Sequence, residues 1–209
     1  MRDIAVTVRL VLRRNSGISS VGPRLLAQCF FLTVGILALG YTAYNVTARY
    51  LYQTYETRVF ERAVTLRSTP AQAGVVMMGS LIGKIDIPRL SISAIVKEGV
   101  DQRTLDIAVG HIPHTALPGE VGNVGVAAHR DTLFRNLKDV RRDDRITLTT
   151  LDGAFVYRVV SFQIVEPTDV SVLDPSAHEN ALTLVTCYPF YFVGNAPRRF
   201  IVRAIQVLD

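Results

Sequence analysis

RITLTTLDGAFVYRVVSFQIV, residues 145–165, is dense in β-branched and aromatic side chains and is cut by Asp152-Gly153. Runs of this kind read as strands, because side chains branched at Cβ fit a pleated surface better than a helix. Outward from this pair the same texture recurs in LIGKIDIP (81–88), SISAIVKEG (91–99), NVGVAAH (123–129), ALTLVTC (181–187) and RFIVRAIQV (199–207). Seven or eight short strands punctuated by Gly, Pro and Asp predict a mainly β fold, a closed or nearly closed barrel. Two short helices are predicted among them, one opened by Asp101 across TLDIAV and one from Thr132 to Leu137 with Phe134 and Leu137 as apolar contacts.

The N-terminal third has a different texture. Residues 25–45 carry no charge and include CFFLTVGILALGY, about the length a helix needs to cross a hydrocarbon core. The span exceeds the apolar core of a cleaved signal peptide, although Val46-Thr47-Ala48 offers a crude cleavage site, so a retained anchor is expected. Leu51, Tyr55, Val59 and Ala63 recur every four residues, which predicts that the helix continues as a stalk to about Leu66 with that stripe as its apolar face. Ser68-Thr69-Pro70 and AQAG then read as a linker. The expected organisation is a cytoplasmic tail (1–24), a transmembrane anchor (25–45), a stalk and linker (46–78) and a catalytic domain (79–209).

The net charge of +5 is unevenly placed. Residues 1–24 hold Arg2, Arg9, Arg13, Arg14 and Arg24 against Asp3, a net +4, which leaves 18 basic and 17 acidic residues for the remainder. Basicity before the span sets orientation, with the N-terminus inside and residues 46–209 outside at the cell membrane. The folded part shows no basic excess, so no nucleic-acid partner is expected. Cys29 lies within the span and Cys187 outside it, so the two cannot pair in that topology.

Reactive residue types stand at three strand ends: His129 closes NVGVAAH, Cys187 closes ALTLVTC, and Arg198-Arg199 opens the last strand. Side chains alternate faces along a strand. With Val124, Val126 and Ala128, then Leu182 and Leu184, then Phe200, Val202 and Ala204 as inward sets, His129, Cys187 and Arg199 all fall on the outward parity. A thiolate attacks carbonyls, an imidazole moves protons and a guanidinium stabilises an oxyanion. Each also has a plainer role: a lone cysteine as a small buried hydrophobe, a structural histidine, an edge-strand charge.

TLVTCYPF (183–190), preceded by GHIPHTALPGEVGNVGVAAHRDTLFRNL (110–137) and followed by APRRFIVRA (196–204), resembles the sortase family of cysteine transpeptidases, with the Tyr-Pro-Phe extension similar to its class D branch. The resemblance covers about residues 79–209. It implies an eight-stranded sortase-type barrel, His129, Cys187 and Arg199 as catalytic residues, and Thr186 as a substrate-groove residue. It also implies cleavage of an LPxTG-like sorting signal between Thr and Gly through a thioacyl enzyme. The partners implied are secreted proteins with a C-terminal sorting signal and an amine acceptor on the cell surface or another protein, for surface attachment or pilus assembly. The loop EPTDVSVLDPSAHEN (166–180) is expected to read the signal. No cofactor and no metal is expected: Asp143 and Asp144 read as a solvated turn rather than a calcium site. His111 and His114 read as loop histidines in a Gly/Pro-bounded segment and His178 as one in the loop before the next strand, and Asp131 is placed to orient Arg130 or a groove residue. A cysteine peptidase hydrolysing a peptide through the same thioacyl intermediate is the alternative function, and a tethered binding barrel with a structural cysteine is a second.

Overall fold

The computed structural model describes residues 22–66, 77–175 and 179–207. The expected linker motifs at 68–74, His178 and most of the N-terminal tail lie outside the described residues. The chain divides into two units, 1–45 and 46–209. One helix, α1 (Pro23–Leu66), begins in the first and ends in the second. Within the first unit its side chains are exposed throughout, and an 18-residue window of mean hydropathy 1.8 makes it long and apolar enough to cross a membrane.

The second unit is a closed eight-stranded barrel. Its strands are β1 (Leu81–Ile87), β2 (Ile92–Glu98), β3 (Val109–His111), β4 (Asn123–Ala127), β5 (Arg145–Thr149), β6 (Ala154–Val165), β7 (Ala181–Tyr188) and β8 (Arg198–Gln206). Around the barrel they run β1-β2-β3-β4-β7-β8-β6-β5. β4 and β7 pair in parallel, as do β2 and β3, and the other neighbours are antiparallel. Closure leaves the sheet no free edge. The strand missing from the sequence reading is β3, three residues that carry too little periodicity to register. Gly110 at its centre allows the close approach, because a Cβ there would stand 2.3 Å from the Gly99 carbonyl oxygen.

The expected inward sets hold in the core: Val124, Val126 and Ala128 meet Leu182, Leu184, Phe200, Val202 and Ala204. Truncating a fully buried leucine such as Leu184 to alanine costs about 2–5 kcal/mol. Tyr157 is also sealed in this core, and burial pushes its hydroxyl up to about 12.

Helix α2 (Gln102–Ile107) opens on Asp101, whose carboxylate accepts from the Arg103 and Thr104 N–H groups as an N-cap. The Thr104 hydroxyl is the largest cause holding that carboxyl below its usual range, and the Thr104 amide adds to it. The second predicted helix is instead a 3-10 turn shifted to Arg135–Asp139, with Phe134 and Leu137 buried as expected.

The stalk is helical to Leu66, but its packed face differs from the expected one. Tyr55 is 67% exposed, and Leu51, Val59 and Ala63 also face outward. The covered positions are Arg49, Tyr52, Gln53, Thr54, Glu56, Thr57, Phe60 and Val64, a stripe at helical spacing in which only Phe60 is fully buried. Polar side chains make the attachment. Gln53 accepts from the Ile95 N–H and donates to the Ile107 carbonyl, Arg49 donates to the Asp106 carbonyl, and Lys97 donates to the Tyr52 hydroxyl. A hydropathy stripe could not find a face that binds by hydrogen bonds.

Candidate active site

β7 and β8 set the register of the site. Cys187 stands directly opposite Arg199, and the pairs Val185–Ile201 and Thr183–Arg203 continue along the same outward row. Directly opposed residues in an antiparallel ladder have Cα atoms about 4.5–5.5 Å apart, so the thiol and the guanidinium stem share one patch of surface. Both are half-buried.

His129 arrives from the neighbouring parallel strand. β4 ends at Ala127 rather than at His129, two residues earlier than expected. The ladder nevertheless persists one step further, because the Ala128 N–H donates to the Val185 carbonyl. The Thr186 hydroxyl donates to the Ala128 carbonyl at 2.7 Å. These two bonds hold the backbone before His129 level with the backbone before Cys187. Thr186 was expected to line the groove; its side chain has the inward parity and is only 2% exposed. It braces the histidine turn from within.

Arg130 locks the same turn to the β7–β8 connection. Its guanidinium donates to the Phe192 and Gly194 carbonyls at 2.7 and 3.0 Å and lies over the Phe192 ring. Both bonds come from Nη2, so carbonyls of the β7–β8 connection hold this end of the guanidinium. Tyr188 and Phe190 of the Tyr-Pro-Phe segment pack on Phe200, with ring centroids 6.4 and 5.3 Å from it, and close the barrel beneath Cys187.

The two adjacent arginines differ in surroundings. Arg198 forms an exposed ion pair with Glu166 at 3.3 Å. Arg199 folds over the start of β8, its Nη1 donating to the Ala196 and Arg198 carbonyls at 3.3 and 3.1 Å, which leaves its other donors available.

Two residues beside His129 escaped the sequence reading. Asp106 Oδ1 lies 3.8 Å from His129 Nε2, and Gln102 Nε2 lies 3.5 Å from the same nitrogen while donating to Asp106 at 2.7 Å. They are four apart on α2, so they present one helical face. That spacing was visible in the sequence, but its approach to His129 depends on how α2 crosses the barrel end.

Of the remaining candidates, His111 and Asp144 have structural partners. His111 is not in a loop but ends β3, 2% exposed, with Nδ1 2.6 Å from Glu98 Oε2 and Nε2 3.0 Å from the Ala116 carbonyl. His114 sits in the following turn with a positive φ of 67°. Asp143 does occupy a turn, but Asp144 is buried rather than solvated. Arg89, hydrogen-bonded to Asp144, holds its carboxyl below the usual range, and the Arg141 N–H adds to this. Among the described residues no group of three or more His, Cys, Asp or Glu side chains is gathered to hold a metal.

The arrangement offers a thiol, an imidazole and a guanidinium at the rim of a rigid barrel, the set that acyl transfer through a thioester uses. Comparison with known proteins identifies the family. A sortase domain model matches residues 85–207. Sortase D of Bacillus subtilis (strain 168) is 36% identical over 129 residues, which are 62% of this chain and 65% of that protein. Sortase SrtE1 of Streptomyces coelicolor is 29% identical over 199 residues, 84% of this chain and 55% of that one. The chain thus spans less than two thirds of the length of these curated relatives. Among solved structures, a Clostridium perfringens sortase D5 transpeptidase superposes with TM-score 0.62 at 27% identity, covering 77% of this chain and 99% of that one. A lid mutant of sortase A from Corynebacterium diphtheriae gives 0.59 at 31%, covering 64% and 74%.

Proposed function

The chain belongs to the sortase family, and from that premise we propose that it is a membrane-anchored cysteine transpeptidase acting on LPxTG-like sorting signals, with Cys187, His129 and Arg199 as its catalytic residues. The observation that carries the reading is the pairing of Cys187 with Arg199 across β7 and β8, with His129 fixed alongside by the Ala128 backbone.

In this reading the Cys187 thiolate attacks the threonine carbonyl of the signal, and the Arg199 guanidinium receives the charge that develops on the oxygen. His129 gives a proton to the departing glycine amine as the carbon–nitrogen bond breaks, leaving a thioester. An incoming amine then attacks the thioester, passes its proton to His129 and releases the thiolate. The product carries a new amide bond to the acceptor, a surface amine or another protein. The anchor fits a substrate that emerges at the same membrane, with the barrel outside the cytoplasm. Protease added to spheroplasts should remove residues 46–209, and full protection of the C-terminus would reverse the orientation.

The decisive experiment gives the full-length protein a fluorescent LPxTG peptide with and without an added amine. Mass spectrometry should find the acyl adduct on Cys187, and the amine should divert the product from acid to amide. Cys187→Ala should form no adduct, whereas Cys29→Ala should behave as wild type. Release of the acid alone at every amine concentration would identify a peptidase instead.

A further inference from the structure

Thirteen or so ångströms from Cys187, along the same two strands, the outward row reaches Thr183 opposite Arg203, four residues back at about 3.3 Å each. Ser161 of β6 stands on the other side of Arg203. Together with Gln163, Ile201 and Ser171 from the loop above, these residues line a cleft of about 260 Å³.

The hydrogen-bonding groups of this cleft are unbalanced. The Thr183 hydroxyl donates to Asn123 Oδ1 at 2.8 Å, and the Ser171 hydroxyl donates to Asp169 at 2.6 Å, so neither proton is free. No acidic residue lines the cleft, and the nearby Glu166 is paired with Arg198. The Arg203 side chain is half-buried, and its guanidinium has no hydrogen-bond or ion-pair partner among the described residues. A guanidinium offers five N–H donors in a planar fork and accepts nothing. Half-burying one beside hydroxyl and amide groups, with no carboxylate among the residues that line the cleft and the neighbouring Asp169 already taken by Ser171, leaves a site that a ligand carboxylate would complete.

Position along the groove fixes which part of a peptide would reach it. His129, the proposed donor to the leaving amine, lies beyond the end of β4, at the Cys187 end of the groove, whereas the cleft lies toward the start of β7. A peptide laid along the β7–β8 row with its leaving side past His129 at the strand ends runs its acyl side back toward Arg203. An extended chain advances about 3.3–3.6 Å per residue, so four residues cover the distance.

We infer that the cleft is a subsite for an acidic side chain about four residues before the threonine that acylates Cys187, immediately ahead of the LPxT-like segment, with Arg203 holding its carboxylate. This rests on the transpeptidase reading and names a further feature of its substrate.

The test compares three peptides carrying Glu, Gln or Lys directly before Leu-Pro-Ala-Thr-Gly, with the full-length enzyme and its Arg203→Gln variant, scored by single-turnover acylation. The wild type should acylate with the Glu peptide roughly two- to tenfold faster than with the Gln peptide, as a partly desolvated ion pair allows, and slowest with Lys. Arg203→Gln should remove the ranking. Acylation with equal rates for all three peptides overturns the subsite and leaves the transpeptidase reading standing. Absence of acylation by the wild type overturns that reading instead. In that case anisotropy titration of Cys187→Ala with the Glu and Gln peptides still decides the subsite: equal affinities sink it.

Discussion

Two histidines at opposite ends of the β3–β4 ladder have opposite surroundings. His111 ends β3 with every polar atom engaged: Glu98 on one ring nitrogen, and the Ala116 carbonyl and Thr115 hydroxyl on the other. The Thr115 proton is itself committed to the Ile112 carbonyl, so that hydroxyl accepts from the ring. His129 lies just past β4, its side chain 31% exposed, with only the longer approaches of Gln102 and Asp106 at one nitrogen. A buried, fully partnered imidazole holds a fold together, and a half-open one can exchange protons with a substrate. Residue type does not separate the two. Packing does.

The sharpest way to break this contrast is to remove each ring in turn. His129→Ala should lower the acylation rate by about 10²–10⁴-fold, the usual worth of a positioned acid–base group, with little change in melting temperature. His111→Ala should do the reverse, losing roughly 3–5 kcal/mol of stability because it strands the buried Glu98 carboxylate. If His111→Ala melts like the wild type but is inactive, the roles are exchanged.

The adjacent arginines extend the comparison. Arg199→Ala should slow single-turnover acylation by about 100- to 1000-fold, the loss expected for one oxyanion donor. Arg199→Lys should recover little, because an ammonium lacks the planar fork. Arg198→Ala breaks only an exposed pair with Glu166 and should stay within about fivefold of wild type. A larger deficit in Arg198→Ala than in Arg199→Ala would overturn the assignment.

A smaller effect is expected at Asp106. Its carboxylate is half-exposed at 3.8 Å from His129, so Asp106→Asn should lower kcat by about two- to fivefold and leave KM alone. A change confined to KM would place Asp106 on the substrate rather than beside the histidine.

The barrel, its inward rows and the outward row bearing Cys187 and Arg199 were legible because strand alternation is a local property of the chain. The groove role implied for Thr186 follows that of its neighbour Cys187, whereas its parity with Leu182 and Leu184 turns it inward. Asp106, Gln102 and the Glu98–His111 pair were not legible. Each depends on elements meeting across the barrel, and the chain separation of Gln102 and His129 carries no periodic signal.

The smallest expected effect concerns pH. Asp144 is held below its usual range, chiefly by the Arg89 hydrogen bond. A carboxylate with a lowered folded value contributes stability above its unfolded value near 3.8, and that contribution is lost as pH falls through the folded value. Asp144→Asn should therefore melt below the wild type at pH 7, and the gap should narrow on acidification below about pH 4. A gap that widens with acid would reject the pair as its source.

Where the polypeptide is cut for work in solution matters more than the barrel's outline suggests. Gln53 is held at both ends, by the Ile95 amide and the Ile107 carbonyl, and Phe60 on the same helix is 1% exposed. A soluble fragment starting at Met77 would keep all eight strands, yet it would uncover one amide on β2 and two carbonyls at the end of α2, the helix that carries Asp106. A fragment starting at Val46 would keep those groups covered and omit the uncharged span. The shorter fragment should melt lower and acylate more slowly, so that shortening the protein for convenience would itself perturb the site under study.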